Sequence, residues 1–171
     1  SYNYAEFQGC QMIELPYLGS SYSMFVVLPP EGMKIDSFLP YVNENVYKQA
    51  MGMLAPAQVK FRMPKVKMET EMLLNDVLMG MGVRTAFTGA ADFKGISETG
   101  PLVVSQVKQK CYIDITETGT EAAAVTSIMV RLTSVRPEID LKVMTVDRPY
   151  LFFIADKESD NILFAGKIVN L

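Results

Sequence analysis

Short apolar runs bounded by Gly and Pro organise both ends of the chain, and their spacing predicts strands over residues 11–15 and 22–28, with Gly19-Ser20-Ser21 between them in hairpin composition. After the Pro29-Pro30-Glu31-Gly32 break, Ile35, Phe38 and Leu39, then Val42, Val46 and Ala50, recur at helical intervals and predict two short amphipathic helices. Residues 58–66 alternate again and read as a strand. Over 69–81 the spacing of Met72, Leu73, Val77 and Leu78 is helical, and Gly80 and Gly82 stand where such a helix would end. A long strand is expected over 102–115, and residues 150–155 and 162–169 are apolar enough to be buried strands. Strands at both ends with helices between them make the expected class α+β. No repeat, low-complexity tract or linker divides the sequence, so one domain fragment is the simplest organisation.

The octapeptide Glu117-Thr118-Gly119-Thr120-Glu121-Ala122-Ala123-Ala124 breaks this pattern. Counted in twos from Thr120, one face carries Thr120, Ala122, Ala124, Thr126, Ile128, Val130 and Leu132, and the other carries Glu121, Ser127 and Arg131. That is strand periodicity. Yet Gly119 brings conformational freedom, and three alanines offer little bulk to fix a strand by packing. The segment suits either an exposed loop or a sheet strand that slips between two neighbours.

Composition narrows the chemistry. The chain has 171 residues, 49% of them hydrophobic, which is enough to bury a core of about one domain. Sixteen Lys and Arg against nineteen Asp and Glu are interspersed, so neither a nucleic-acid stripe nor a polybasic membrane patch is expected. No apolar run reaches the ~20 residues of a membrane span. The absence of histidine removes Ser-His-Asp and Cys-His catalysis and most catalytic zinc sites, so no enzyme, no metal and no cofactor are expected. Cys10 and Cys111 lie on different predicted strands without metal-ligand spacing, and buried free thiols are expected rather than a disulfide.

Several ordered motifs carry a resemblance to the inhibitory serpins. They are Leu15-Pro16-Tyr17-Leu18-Gly19, Phe25-Val26-Val27-Leu28-Pro29, Met63-Pro64-Lys65, Met81-Gly82-Val83, Ala91-Asp92-Phe93-Lys94-Gly95-Ile96, the 117–124 octapeptide, Asp147-Arg148-Pro149-Tyr150-Leu151-Phe152-Phe153 and Leu163-Phe164-Ala165-Gly166-Lys167. The resemblance covers essentially the whole chain, and the set is far more specific than any one motif. It implies the mainly antiparallel, multi-sheet α+β serpin fold with a few helices. A serpin domain is longer than this chain, so residues 1–171 resemble its C-terminal portion, with a reactive loop at about 117–140. Any targeting segment would then lie upstream of Ser1.

The resemblance also implies a mechanism. A protease attacks the exposed loop as a substrate and forms an acyl-enzyme, and the cleaved loop inserts into the main sheet before deacylation finishes. Residues 120–133 would add a strand of about 46 Å at ~3.3 Å per residue. Glu117, Gly119, Thr120, Glu121, Ala122, Ala123 and Ala124 form the implied hinge, with Thr120 the first side chain to turn into the sheet. Lys65 and Glu117 match a family salt bridge at the point where the loop enters the sheet. Counting along the resemblance from Glu117 places the reactive bond between Thr133 and Ser134, with Arg131, Leu132 and Arg136 as rivals. Arg131 suits a trypsin-like target, Leu132 a chymotrypsin-like one and Thr133 an elastase-like one.

Three positions depart from the family pattern. Gln109 in Val107-Lys108-Gln109-Lys110 stands where a histidine is common, Val125 is bulkier than the usual hinge residue, and the stretch from the inferred cut to Pro149 is several residues longer than is common. The implied partners are a target serine protease, with a cysteine protease as a second class, and the N-terminal half of the same serpin. Family habit implies an extracellular or periplasmic setting. Two alternatives stand beside inhibition: a non-inhibitory serpin acting as a binding or carrier protein, and an inactive fragment that lacks its N-terminal half.

Overall fold

The computed structural model describes residues 1–19, 21–96, 100, 102–116 and 140–170. The chain divides into two compact units, one of Ser1–Val66 with Ile115–Leu171 and the other of Lys67–Asp114.

The first unit is built on a sheet of seven strands among the described residues. In chain order they are β1 (Tyr2–Phe7), β2 (Cys10–Pro16), β3 (Tyr22–Leu28), β4 (Ala55–Arg62), β7 (Leu141–Thr145), β8 (Tyr150–Asp156) and β9 (Ile162–Ile168). Their order across the sheet is β7-β4-β1-β2-β3-β8-β9. β1 and β2 are joined by Gln8 and Gly9 alone, both at positive φ (50° and 77°), as a two-residue hairpin that follows the twist of its strands requires. β2 and β3 pair from Gln11↔Leu28 to Pro16↔Ser23, and β3 pairs with β8 from Tyr22↔Asp156 to Val27↔Leu151, both antiparallel. β3 is the most apolar of these strands because every residue after Tyr22 is buried.

Helices α1 (Ile35–Phe38) and α2 (Glu44–Met53) supply Ile35, Phe38 and Ala50 to a core with Ala5, Cys10, Met12, Phe25, Val27 and Ala155. The Asn43 side chain accepts the Val46 N–H at 3.1 Å and caps α2. At the polar end of this core, Glu14 is 5% exposed. It accepts Asn3 Nδ2 at 2.7 Å and Ser23 Oγ at 2.7 Å, and pairs with Lys157 Nζ at 3.0 Å. Burial pushes the Glu14 carboxyl up, but the bonds from Ser23, Asn3 and Lys157 and the lysine charge together outweigh it and hold the group below its ordinary value.

The second unit contains β5 (Val66–Leu73) and β6 (Lys108–Ile115), whose terminal residues Val66 and Ile115 belong to the first, and helix α3 (Asn75–Gly80). β5 and β6 form a two-stranded sheet. α3 ends as the glycine spacing predicts: Gly82 has φ 99°, its N–H bonds Met79 O at 3.1 Å, and the Val83 N–H bonds Leu78 O at 2.9 Å. No described helix is long and apolar enough to cross a membrane.

Four sequence expectations need correction. The strand expected over 58–66 is two strands, because Pro64 cannot donate to a ladder and the chain breaks between Arg62 and Val66. The helix expected over 69–81 begins only at Asn75. Before it, Val66, Met68 and Thr70 alternate with Lys67, Glu69 and Glu71 on the two faces of β5. The long strand over 102–115 is regular only from Lys108, since Val104 and Val107 bond to Ala86 and Leu74 at turns. β9 sits where a strand was expected, but Ile162, Leu163 and Phe164 are half exposed, as befits an edge. β1 and β7 were not anticipated.

Two predictions follow from this packing. Gly166 faces Phe152 across the β8–β9 ladder, and a Cβ there would lie 2.6 Å from Phe152 Cε1, a ring that is itself buried. Gly166→Ala is expected to lower stability by about 1–3 kcal/mol in urea unfolding of the full-length protein, with partial recovery on adding Phe152→Leu. Because the Glu14 carboxyl is depressed in the folded state, its network stabilises fully above the unfolded value of 4.5 and is lost as pH falls through the lower folded value. Glu14→Ala should therefore cost about 2–4 kcal/mol at pH 7, with the deficit shrinking as the pH falls below 4.5.

Candidate functional site

Most sequence-predicted site residues fall outside the described part of the chain. These are Glu117, Gly119, Thr120, Glu121, Ala122, Ala123, Ala124, Arg131, Leu132, Thr133, Ser134 and Arg136. Lys65 is described and exposed, in the link between β4 and β5, while its expected partner Glu117 is not described. The structure does place the two ordered strands that bracket residues 116–140, and these carry the geometry of the site.

The upstream strand is β6. Its burial alternates: Tyr112 and Asp114 are exposed, Cys111 and Ile113 are half-buried, and Ile115 is buried. Glu71 on β5 reaches both Lys108 Nζ, at 2.7 Å, and Lys110 Nζ, at 3.1 Å. The bonds from Lys108 and then Lys110 hold its carboxyl below the ordinary value. On an open surface such a fork specifies which residues face each other more than it adds stability. Gln109, at the common histidine position, directs its amide Nε2 to Cys111 Sγ at 3.4 Å.

The downstream strand is β7. It runs parallel to β4 in register from Gln58↔Leu141 to Arg62↔Thr145. Only the first part of β4, Ala55 to Ala57, pairs with β1, so β4 changes neighbour along its length. Met144 is fully buried and Val146 nearly so, whereas Leu141 and Val143 are each 55% exposed. Gln11 Nε2 donates to Val143 O at 2.9 Å, and the Val146 N–H donates to Arg62 O at 2.8 Å. Beyond β7, Arg148 Nε and Nη2 both donate to Pro29 O at 3.0 Å, and its Nη1 donates to Asp147 Oδ1 at 3.0 Å. Tyr150 then opens β8, wholly buried, its hydroxyl pushed up to about 12 by that burial.

Asp147-Arg148-Pro149 stands in the sequence only as part of a longer motif, and β7 lies outside the expected strands. The available signal was the alternation of Leu141, Val143 and Thr145 with Lys142, Met144 and Val146. Both cysteines are free, Cys10 buried and Cys111 half-buried. Burial pushes the Cys10 thiol up, against a smaller opposing pull from the Arg148 charge.

Comparison with known proteins gives this geometry its context. A family model described as Serpin (serine protease inhibitor) matches residues 1–171. Iripin-3 of Ixodes ricinus is 37% identical over 163 residues, spanning 95% of this chain and 41% of the relative. Intracellular coagulation inhibitor 2 of Tachypleus tridentatus is 34% identical over 170 residues, spanning 99% of this chain and 41% of the relative. The native-state crystal structure of the thermophilic serpin tengpin superposes with a TM-score of 0.80 at 28% identity, covering all of this chain and 44% of that one. The chain thus spans about two fifths of the length of the curated relatives it matches. Its sheets and few helices are those of an α+β serpin fold, and with the family model matching from the first residue to the last, the chain belongs to the serpin family.

Proposed function

We propose that residues 1–171 are the C-terminal portion of a single serpin domain and that the whole protein inhibits a protease as a suicide substrate, through a reactive loop at about 117–140. The observation that carries the reading is the run of small side chains at strand period from Thr120, between two strands that are held in ladders of their own. A sequence that suits both loop and strand, joined to ordered strands at each end, is what insertion requires. The family description, serine protease inhibitor, supports the same reading.

In this reading the target's serine hydroxyl attacks the Thr133 carbonyl, the Thr133–Ser134 bond breaks, Ser134 leaves as an amine, and Thr133 stays on the protease as an ester. Hydrolysis of that ester then competes with insertion of residues 120–133. Arg131, Leu132 and Arg136 remain rival positions for the cut, and a cysteine protease would form the corresponding thioester. Lys65 and Glu117 set the starting position of the hinge, formed by Glu117, Gly119, Thr120, Glu121 and Ala122 to Ala124. The N-terminal half of the same serpin completes the domain. Family habit, together with a loop built to meet proteases, favours an extracellular or periplasmic setting. Catalysis is no part of this function.

Thr120 is the first side chain that must turn into the sheet. Burying an unpaired charge there costs several kcal/mol, enough to slow insertion by more than about tenfold. The full-length protein, incubated with trypsin-like, chymotrypsin-like, elastase-like and papain-like proteases, is expected to give a heat-stable adduct of combined mass on a denaturing gel, and Thr120→Arg is expected to be cut at the same bond without an adduct. Full-strength trapping by Thr120→Arg, or clean cleavage of the native protein without adduct by every protease tried, would overturn the reading.

A further inference from the structure

The link from β7 to β8 is held with more donors than a connection needs. β7 is five residues long, lies at the sheet edge, and has one ladder neighbour among the described residues, in a parallel pairing. Parallel pairs are slightly less stable per residue than antiparallel ones, and Leu141 and Val143 are each more than half exposed. The ladder by itself is a weak tie. Two side-chain contacts add to it: Gln11 of β2 donates to Val143 O, and Arg148 of the β7–β8 link donates to Pro29 O.

The Arg148 contact has a specific logic. Pro29 is wholly buried at the exit of β3, and the residue after it, Pro30, has no N–H. Its carbonyl receives both arms of the guanidinium, so a buried acceptor is satisfied by the residue that ends the β7 link. Asp147 takes the third corner of the guanidinium, and its own N–H is fixed on Thr145 O at 3.0 Å. The planar fork therefore locks residues 145–148 to β3 in one orientation. A lysine could make one such bond but not two in a plane.

We infer that Arg148, with Gln11, is a positioning residue that fixes β7 and thereby sets how the reactive bond is presented to a protease. The inference rests on the inhibitory reading above. Residues 134–140 alone separate the proposed cut from Leu141, so the point at which β7 is tied fixes the downstream end of a short tether. A tether with a wandering end spends less time in the geometry a protease can attack.

The test uses the full-length protein and four variants: Arg148→Ala, Arg148→Lys, Gln11→Ala and, as a control, Glu14→Gln, which weakens a network on β1, β2 and β3 and leaves the ties of β7 alone. The second-order rate constant for adduct formation is measured with the best protease, beside melting temperature and hydrogen exchange at residues 141–145. Arg148→Lys and Gln11→Ala are expected to lower the rate constant at least about fivefold and to speed exchange over 141–145, while Glu14→Gln lowers the melting temperature with no change in either. Arg148→Lys and Gln11→Ala keep the test open should Arg148→Ala fail to fold. An unchanged rate constant in Arg148→Lys, or an equal drop in Glu14→Gln, would overturn the inference. Failure of the inhibitory reading shows separately, as a native protein that forms no adduct; the cutting rate of the loop and the exchange of β7 amides then decide the role of Arg148.

Discussion

The pairing of β3 with β8 is the constraint on which the rest of the first unit depends. It joins residues 22–28 to residues 150–156, so that everything from 29 to 149 is an excursion whose two ends are fixed on adjacent strands. Closing a loop of that length costs about 4 kcal/mol of chain entropy beyond a constant, and the two strands must recover it by packing. They do so with a concentrated contact: the rings of Phe25 and Phe153 stack at 4.9 Å and 15°, and Tyr47 of α2 meets Phe153 edge-on at 5.4 Å. β9 extends the same frame and is seated by Phe152 lying over Gly166. β4 and β7 lie within that excursion and return to the same sheet.

The two strands that flank residues 116–140 are each tied to a neighbour. β6 ends at Ile115 in a ladder with β5, across which Glu71 bridges Lys108 and Lys110. β7 begins at Leu141 in a parallel ladder with β4, with Gln11 on the Val143 carbonyl and Arg148 of the following link on the Pro29 carbonyl. The buried carboxylate of Glu14, held between Asn3, Ser23 and Lys157, joins three strands and the loop after β8 at the polar end of the core.

Much of the frame was legible in the sequence, and the reason is physical. β2, β3 and β8 are apolar on both faces or nearly so, and such runs announce themselves without knowledge of their neighbours. β1 and β7 escaped because each depends on a partner: β1 is left through a Gln8-Gly9 turn with little sequence signal, and β7 is a half-exposed edge whose register comes from β4. The helical reading of 69–81 failed because Met72 and Leu73, in a strand, happen to fall at helical intervals from Val77 and Leu78, in a helix. The candidate site was legible in a different way. The period of two from Thr120 is in the residues, but its meaning as a hinge, and the roles of Lys65, Glu117, Thr133 and Ser134, came from resemblance. Arg148 was in plain sight within a motif, and only the position of the Pro29 carbonyl gave it a role.

The central claim, that the 117–140 segment can become a sheet strand once cut, is tested most directly by melting. The full-length protein would be cut between Arg131 and Ser134, the cut mapped by mass spectrometry, and intact and cut forms heated side by side. Insertion would add roughly ten backbone hydrogen bonds at a net ~1 kcal/mol each. At about 2–4 °C per kcal/mol for a protein of 150–250 residues, and less for a longer one, the account predicts that the cut form melts more than about 10 °C above the intact form. A cut form that melts at the same temperature or lower would contradict it.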